Sequence, residues 1–263
     1  FTTRDILERE ALIGVSMTGM CENELSFRPD VLQQGASIVN QENRRVADMI
    51  RINYASRTTC IKPSGNTSTV ASGISSGIHP HHAKKYIRRM RISKVNPIWD
   101  ELMSKVPQAC HDYNDHTGII SFACSAPDGS VSRETSKALD HLERVKLVYE
   151  NWVLPGSKDS RVEGLTHNVS NTCTVKEDEW DDVAAFIWSN REALRGVALL
   201  GYVADHLYDM APYQTVVEGH ESETLWNDLA SIDWGGVNLF VEGEGENPAL
   251  DPACSAGRCE ISF

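Results

Sequence analysis

No run of apolar residues in this sequence approaches the roughly 20 needed to cross a bilayer, and no basic start leads into an apolar signal core. A soluble, cytoplasmic chain is therefore expected. Basic charge is also in short supply, with 25 Lys and Arg against 37 Asp and Glu and a formal charge of -12. That balance disfavours general attraction to nucleic acid or to an anionic membrane, so any phosphate site must be local. The cysteines, seven in 263 residues, are too few and too irregularly spaced for the framework of a small disulfide protein, which favours a reducing compartment. No repeat of fixed period occurs. The first residue is Phe1, which suggests a processed product or a piece of a longer protein.

What is present suits a sizeable core, since 41% of residues are hydrophobic. The opening has helical spacing up to Glu10 and then a small-residue apolar run to Gly19, read as helix followed by strand. The next helix places Val31, Ile38, Val46, Met49 and Ile50 on one face. "KKYIRRMRI", "TGIISFACSAP" and "LTHNVSNTCTV" read as strands, and "TTCIKPSG" and "RGVALLGY" as short buried strands. Helices are expected over "SRETSKALDHLERVKLVYENWV" and "KEDEWDDVAAFIWSNREAL", the latter with an acidic first turn. This alternation predicts an α/β architecture with parallel strands and no visible split into separate domains. From Glu218 onward the apolar pattern thins, and residues 218–263 read as an acidic, mobile tail.

Two segments carry chemistry. "CIKPSGNTSTVASGISSGIHPHH" runs from a strand into Lys62, Pro63, Ser64 and Gly65, then Asn66, Thr67 and Ser68. Backbone N–H groups, hydroxyls and a lysine are the donors an anion requires, and glycine admits close approach. The spacing is not that of a Walker loop, and a capped strand-to-helix turn accounts for the same residues. His79, His81 and His82 raise the question of a metal, but no nearby acid or cysteine completes a ligand pattern, and none is assigned. The second segment is Cys254-Ser-Ala-Gly-Arg-Cys259, flexible enough for the sulfurs to meet. A disulfide closing so short a loop would constrain little, so reversible oxidation is the better reason for the pair, with half a zinc site or two unrelated thiols as alternatives.

Taken in order, "ALIGVSMTGM", "IKPSGNTSTVASGISSGIH", "YIRRMRI" with "MAPYQTVV", and "CSAGRCEIS" resemble ribonucleotide reductases. The likeness is greatest to the C-terminal part of the monomeric, adenosylcobalamin-dependent (class II) ribonucleoside-triphosphate reductases. The absence of any Tyr-Tyr pair favours this branch over the iron-dependent one, and the C-x-x-x-x-C tail favours it over the glycyl-radical one. Ala11 and Leu12 replace the family's arginines, and Asn66 before Thr67 departs from its K-P-S-G-T segment by one position.

The resemblance implies that residues 1–217 are the C-terminal part of a ten-stranded α/β barrel and that 218–263 form a tail bearing a redox pair. It implies a seat for substrate phosphates at Ser64, Gly65, Asn66, Thr67 and Ser68. It also implies adenosylcobalamin as cofactor, a ribonucleotide as substrate, and Cys254 and Cys259 as a dithiol reduced by thioredoxin or a similar donor. The family's thiyl cysteine lies in an N-P-C-x-E type strand, and no such motif occurs here. An N-terminal partner is therefore expected to carry it. Cys21, Cys60, Cys110, Cys124 and Cys173 read as buried small apolar residues. A non-catalytic nucleotide-binding module and an inactive remnant are the other readings.

Overall fold

The structure, a computed structural model, describes residues 2–64, 68, 74–202 and 210–238. In chain order the elements are α1 (Thr3–Glu10), α2 (Pro29–Ile50), β1 (Lys85–Ser93), α3 (Pro97–Lys105), β2 (Cys110–Asp112), β3 (Thr117–Ser125), α4 (Ala138–Val148), β4 (Asn171–Val175), α5 (Trp180–Ser189), β5 (Val197–Gly201), β6 (Tyr213–Thr215) and α6 (Glu221–Ala230). Short 3₁₀ turns and one π turn, Tyr149–Val153, link some of them. The α/β expectation holds, but the expectation of an undivided chain does not. The chain separates into two compact units, Phe1–Lys84 with Ala126–Val203, and Lys85–Ser125 with Ala204–Phe263.

The first unit is built on parallel pairing. Val15 bridges Thr59, Ile61 bridges Val169, and β4 pairs in parallel with β5 from Asn171↔Val197 to Val175↔Gly201. Along β4 the residues Asn171, Cys173 and Val175 are buried while Thr172 is exposed, the period of two that a sheet covered on one side imposes. The expectation that β5 is buried is corrected: Ala198, Leu199 and Leu200 are exposed, because β5 pairs with β4 alone among the described strands. The buried side of β4 meets Leu142, Val145 and Val148 of α4, Leu32 and Ala36 of α2, and Val183 of α5 in one apolar core. After α4 the π turn brings Trp152 onto the strand before Lys62: its indole N–H donates to the Cys60 carbonyl (3.1 Å), and its own carbonyl accepts from Thr59 Oγ1 (2.6 Å).

The face expected for α2 is corrected. Leu32, Ala36 and Ala47 are buried, whereas Val31, Ile38, Met49 and Ile50 are exposed. Small residues favour this register, because a Cβ at Gly35 would lie 3.1 Å from the Trp152 ring, closer than side chains ordinarily pack. The helix expected from Ser132 begins instead at Ala138, since His81 claims Ser132 in a parallel bridge.

Among the described residues of the second unit the pairing is antiparallel, with strand order β2-β3-β1-β6, so the expectation of parallel strands is corrected for this part. Long excursions are needed between parallel neighbours, and short local returns favour antiparallel ones. Ile87, Trp99, Leu102, Val106, Ile120 and Leu229 form its core. Leu229 lies in α6, which occupies residues assigned to a mobile tail, so that expectation fails for 221–230. Its apolar residues Leu225, Trp226 and Leu229 follow helical spacing within an acidic stretch that dilutes the average hydrophobicity. Closure of a ten-stranded barrel is not seen among the described residues.

Candidate functional site: the Lys62–Gly77 loop base

The extended segment leading to Lys62 is held on both sides. Val15 N–H donates to the Thr58 carbonyl and Cys60 N–H to that of Val15, while Ile61 N–H donates to Asn168 and receives Ser170 N–H on its carbonyl. Thr59 and Ile61 are fully buried and pair only through isolated bridges, so an extended buried segment, not a regular strand, leads to an exposed lysine.

Beyond it the two limbs of the loop are pinned together. Ser64 N–H donates to Ser76 Oγ (2.9 Å), and the Ser76 hydroxyl donates back to the Ser64 carbonyl (3.1 Å). Ser68 N–H donates to Ser64 Oγ (2.9 Å) and Ser68 Oγ to the Ser64 carbonyl (2.5 Å). Gly77 has φ +60°, and a Cβ there would stand 2.7 Å from the Lys62 carbonyl oxygen. Both the left-handed backbone and the close approach require glycine.

The returning limb is fastened to residues 18–22. Gly77 N–H donates to Thr18 Oγ1 (2.9 Å), which donates in turn to the Ser75 carbonyl (3.1 Å). The Glu22 carboxylate accepts Ser75 N–H (2.6 Å) and faces His81 Nε2 at 2.8 and 3.0 Å. The His81 side chain is 1% exposed, so this pair is shielded from water and fixes the limb strongly.

Of the residues expected to meet phosphate, Ser64 and Ser68 therefore stand side by side at the base, while Gly65, Asn66 and Thr67 lie outside the described residues, as do Cys254 and Cys259. Sequence reasoning missed Glu22, Ser76 and the role of His81. An acid after a small-residue run carries no spacing signal toward a histidine 59 positions away. The three histidines of the cluster go to different partners: His79 to Ser76 and Thr172, His81 to Glu22, and His82 to Arg133. Among the described residues no three His, Cys, Asp or Glu side chains gather as a metal-ligand set.

Cys21, Cys60 and Cys173 are buried as expected, but Cys110 and Cys124 are only partly covered. Burial raises all five thiols, Cys21 and Cys173 to about 12. None is suited to act as a thiolate near neutrality. No described helix is long and apolar enough to cross a membrane.

This fold recurs in a protein of known class. A crystal structure of a B-12 dependent (class II) ribonucleotide reductase superposes with a TM-score of 0.66 at 18% identity, over 88% of this chain and 36% of that one. The described residues therefore share the fold of part of that structure. In sequence, the chain is 21% identical to the adenosylcobalamin-dependent ribonucleoside-triphosphate reductase of Euglena gracilis and 22% identical to that of Lactobacillus gasseri, in each case over 98% of its length. It spans about a third of these relatives, 34% and 38% respectively. No family model matches the chain.

Proposed function

We propose that this chain forms the C-terminal part of a reductase that converts ribonucleotides to 2′-deoxyribonucleotides. The observation that carries the reading is collinearity: a single alignment with named reductases runs through 98% of the chain. Four motifs in the family's order support it.

Within this reading the loop based on Ser64 receives the substrate's phosphates. The amides of Ser64 and Ser68 are committed to Ser76 and Ser64. Donors toward the phosphate are then the Ser64 hydroxyl and residues Gly65, Asn66 and Thr67, with Lys62 adding a full charge. The pinned base lowers the ordering cost of binding, because the limbs are already joined before substrate arrives.

Cys254 and Cys259 restore the enzyme after turnover. The thiolate of one attacks a disulfide in the barrel and forms a mixed disulfide, which the second thiol resolves. Two electrons and two protons pass to the barrel pair, the tail pair becomes a disulfide, and thioredoxin or a similar dithiol reduces it. A tethered pair gains from high effective concentration.

Adenosylcobalamin enters this reading from the relatives' names and would supply the radical that generates the thiyl species. No step above is routed through it. The thiyl cysteine is assigned to an N-terminal partner. Leu12, Ile13, Val15 and Leu199, exposed by 38 to 45%, are apolar surface that such a partner would cover.

The test is reconstitution. Nucleoside triphosphate, adenosylcobalamin and a dithiol should yield deoxynucleotide when this chain is combined with an N-terminal reductase part that carries an N-P-C-x-E strand, and none with this chain alone. Turnover by the chain alone, or a well-formed pair that stays inactive, would refute the reading.

A further inference from the structure

His79 stands between the loop base and β4, and its hydrogen bonds define its tautomer. Nδ1 lies 2.6 Å from the Ser76 carbonyl, which can only accept, so the ring proton sits on Nδ1 and donates there. Nε2 keeps its lone pair and accepts Thr172 N–H at 2.9 Å. Both nitrogens therefore require the same neutral imidazole. The backbone N–H of His79 donates to the Ser76 carbonyl as well (3.0 Å), which seats the ring against the turn.

That acceptor stands where the sheet runs out of carbonyls. On the side of β4 away from β5, Ser170 N–H donates to the Ile61 carbonyl, while Asn171 N–H turns the other way, to Gly196. Carried on by two residues, the parallel ladder would bring Thr172 N–H to the carbonyl of Pro63. Pro63 has no N–H with which to sustain the pairing, and the bridges end at Ile61, after which Ser64 is pinned to Ser76 instead. The imidazole of His79 takes up the amide that the departing loop leaves behind, so that no strand donor goes unpaired. An unbroken chain results: Thr172 N–H to Nε2, Nδ1–H to the Ser76 carbonyl, and the Ser76 hydroxyl to the Ser64 carbonyl.

Thr18 and Glu22 hold Gly77 and Ser75, but Ser76, the residue that grips Ser64, is tied to the sheet through His79. The surroundings keep the ring neutral. Facing it are His141 of α4, with ring centroids 6.1 Å apart, and Arg133, Lys137, Lys176 and Tyr202 around the adjoining cleft, which no carboxylate lines. Burial lowers the pKa of His79 and outweighs the Ser76 carbonyl, which favours the protonated form. We propose that His79 is a positioning residue for the substrate's phosphates: as a neutral strut from β4 it fixes where the Ser64 hydroxyl stands, and so sets the affinity for the ribonucleotide. The inference rests on the reading of the Ser64 loop as the phosphate seat.

Two variants separate the strut from mere bulk. His79→Gln can set an amide oxygen where Nε2 stands, whereas His79→Phe keeps a ring and neither hydrogen bond. In NMR spectra of the ¹⁵N-labelled full chain, His79 should show the Nδ1–H tautomer. His79→Phe should speed hydrogen exchange of the Thr172 and Ser64 amides about tenfold, as loss of one hydrogen bond implies, and His79→Gln by less than about threefold. In the reconstituted reductase, His79→Phe should raise the KM for CTP about tenfold while kcat falls far less, and His79→Gln should recover most of the loss. Should His79→Phe fail to fold, His79→Asn, which keeps only the donor to Ser76, takes its place in both measurements. An Nε2–H tautomer, or amide exchange indifferent to these changes, would overturn the strut whatever the enzyme does. Faster exchange with an unmoved KM would instead overturn the phosphate seat, and the positioning role with it.

Discussion

Single atoms decide much of this protein's behaviour. Gly77 combines φ +60° with a backbone oxygen 2.7 Å from any added Cβ. Gly77→Ala should therefore destabilise the first unit by about 2 kcal/mol and loosen the loop base, read as a lower urea midpoint. His141 gives a pH signature. Its folded pKa of about 4 lies below the ordinary 6.5, so between these values the unfolded chain binds more protons than the folded one. Stability is then complete above about pH 6.5 and falls on acidification toward about pH 4, by up to roughly 3 kcal/mol. Burial lowers His79 in the same direction. Urea titrations across this window should show a flatter acid limb in His141→Gln than in the unmodified chain. The thiols make a third residue-level prediction: with Cys21 and Cys173 raised to about 12, neither should react with a thiol reagent at neutral pH until the chain unfolds.

Among the elements, contacts between a glycine and a large ring recur. In the second unit Gly118 of β3 lies beneath Trp99 of α3, and an added Cβ would come within 2.2 Å of the ring. Trp99 is buried and has nowhere to swing, so Gly118→Ala should cost about 1–3 kcal/mol and change the tryptophan fluorescence of the folded state. The strands and helices themselves were legible because alternation and helical spacing are properties of neighbouring residues. "KKYIRRMRI" and "TGIISFACSAP" were correctly read as strands on that ground. Their antiparallel pairing was not legible, because the partner of each lies some thirty residues away and nothing local names it. For α2 the pattern itself misled. Its exposed apolar residues outnumber the small ones that pack, and only the position of Trp152 shows which face is inward.

For the molecule as a whole, the reductase reading predicts different responses to two reductants. In the reconstituted enzyme Cys254→Ser should nearly abolish turnover driven by thioredoxin while a small dithiol partly restores it, because a small reductant reaches the barrel pair directly. Equal loss with both would assign the tail another task. Assays of deoxynucleotide formation with each reductant decide between these outcomes.

The sequence by itself placed Lys62 after a buried extended segment, identified most strands and helices, and carried a likeness to class II reductases that the fold comparison supports. Those features depend on residue order and short-range periodicity, which the chain displays before it folds. Only the tertiary structure paired Glu22 with His81, tied Ser64 to Ser76, left His141 Nδ1 without a partner and divided the chain into two units. Each of these joins residues distant in sequence, and their meeting is set by how the cores close, a long-range outcome that no local pattern encodes.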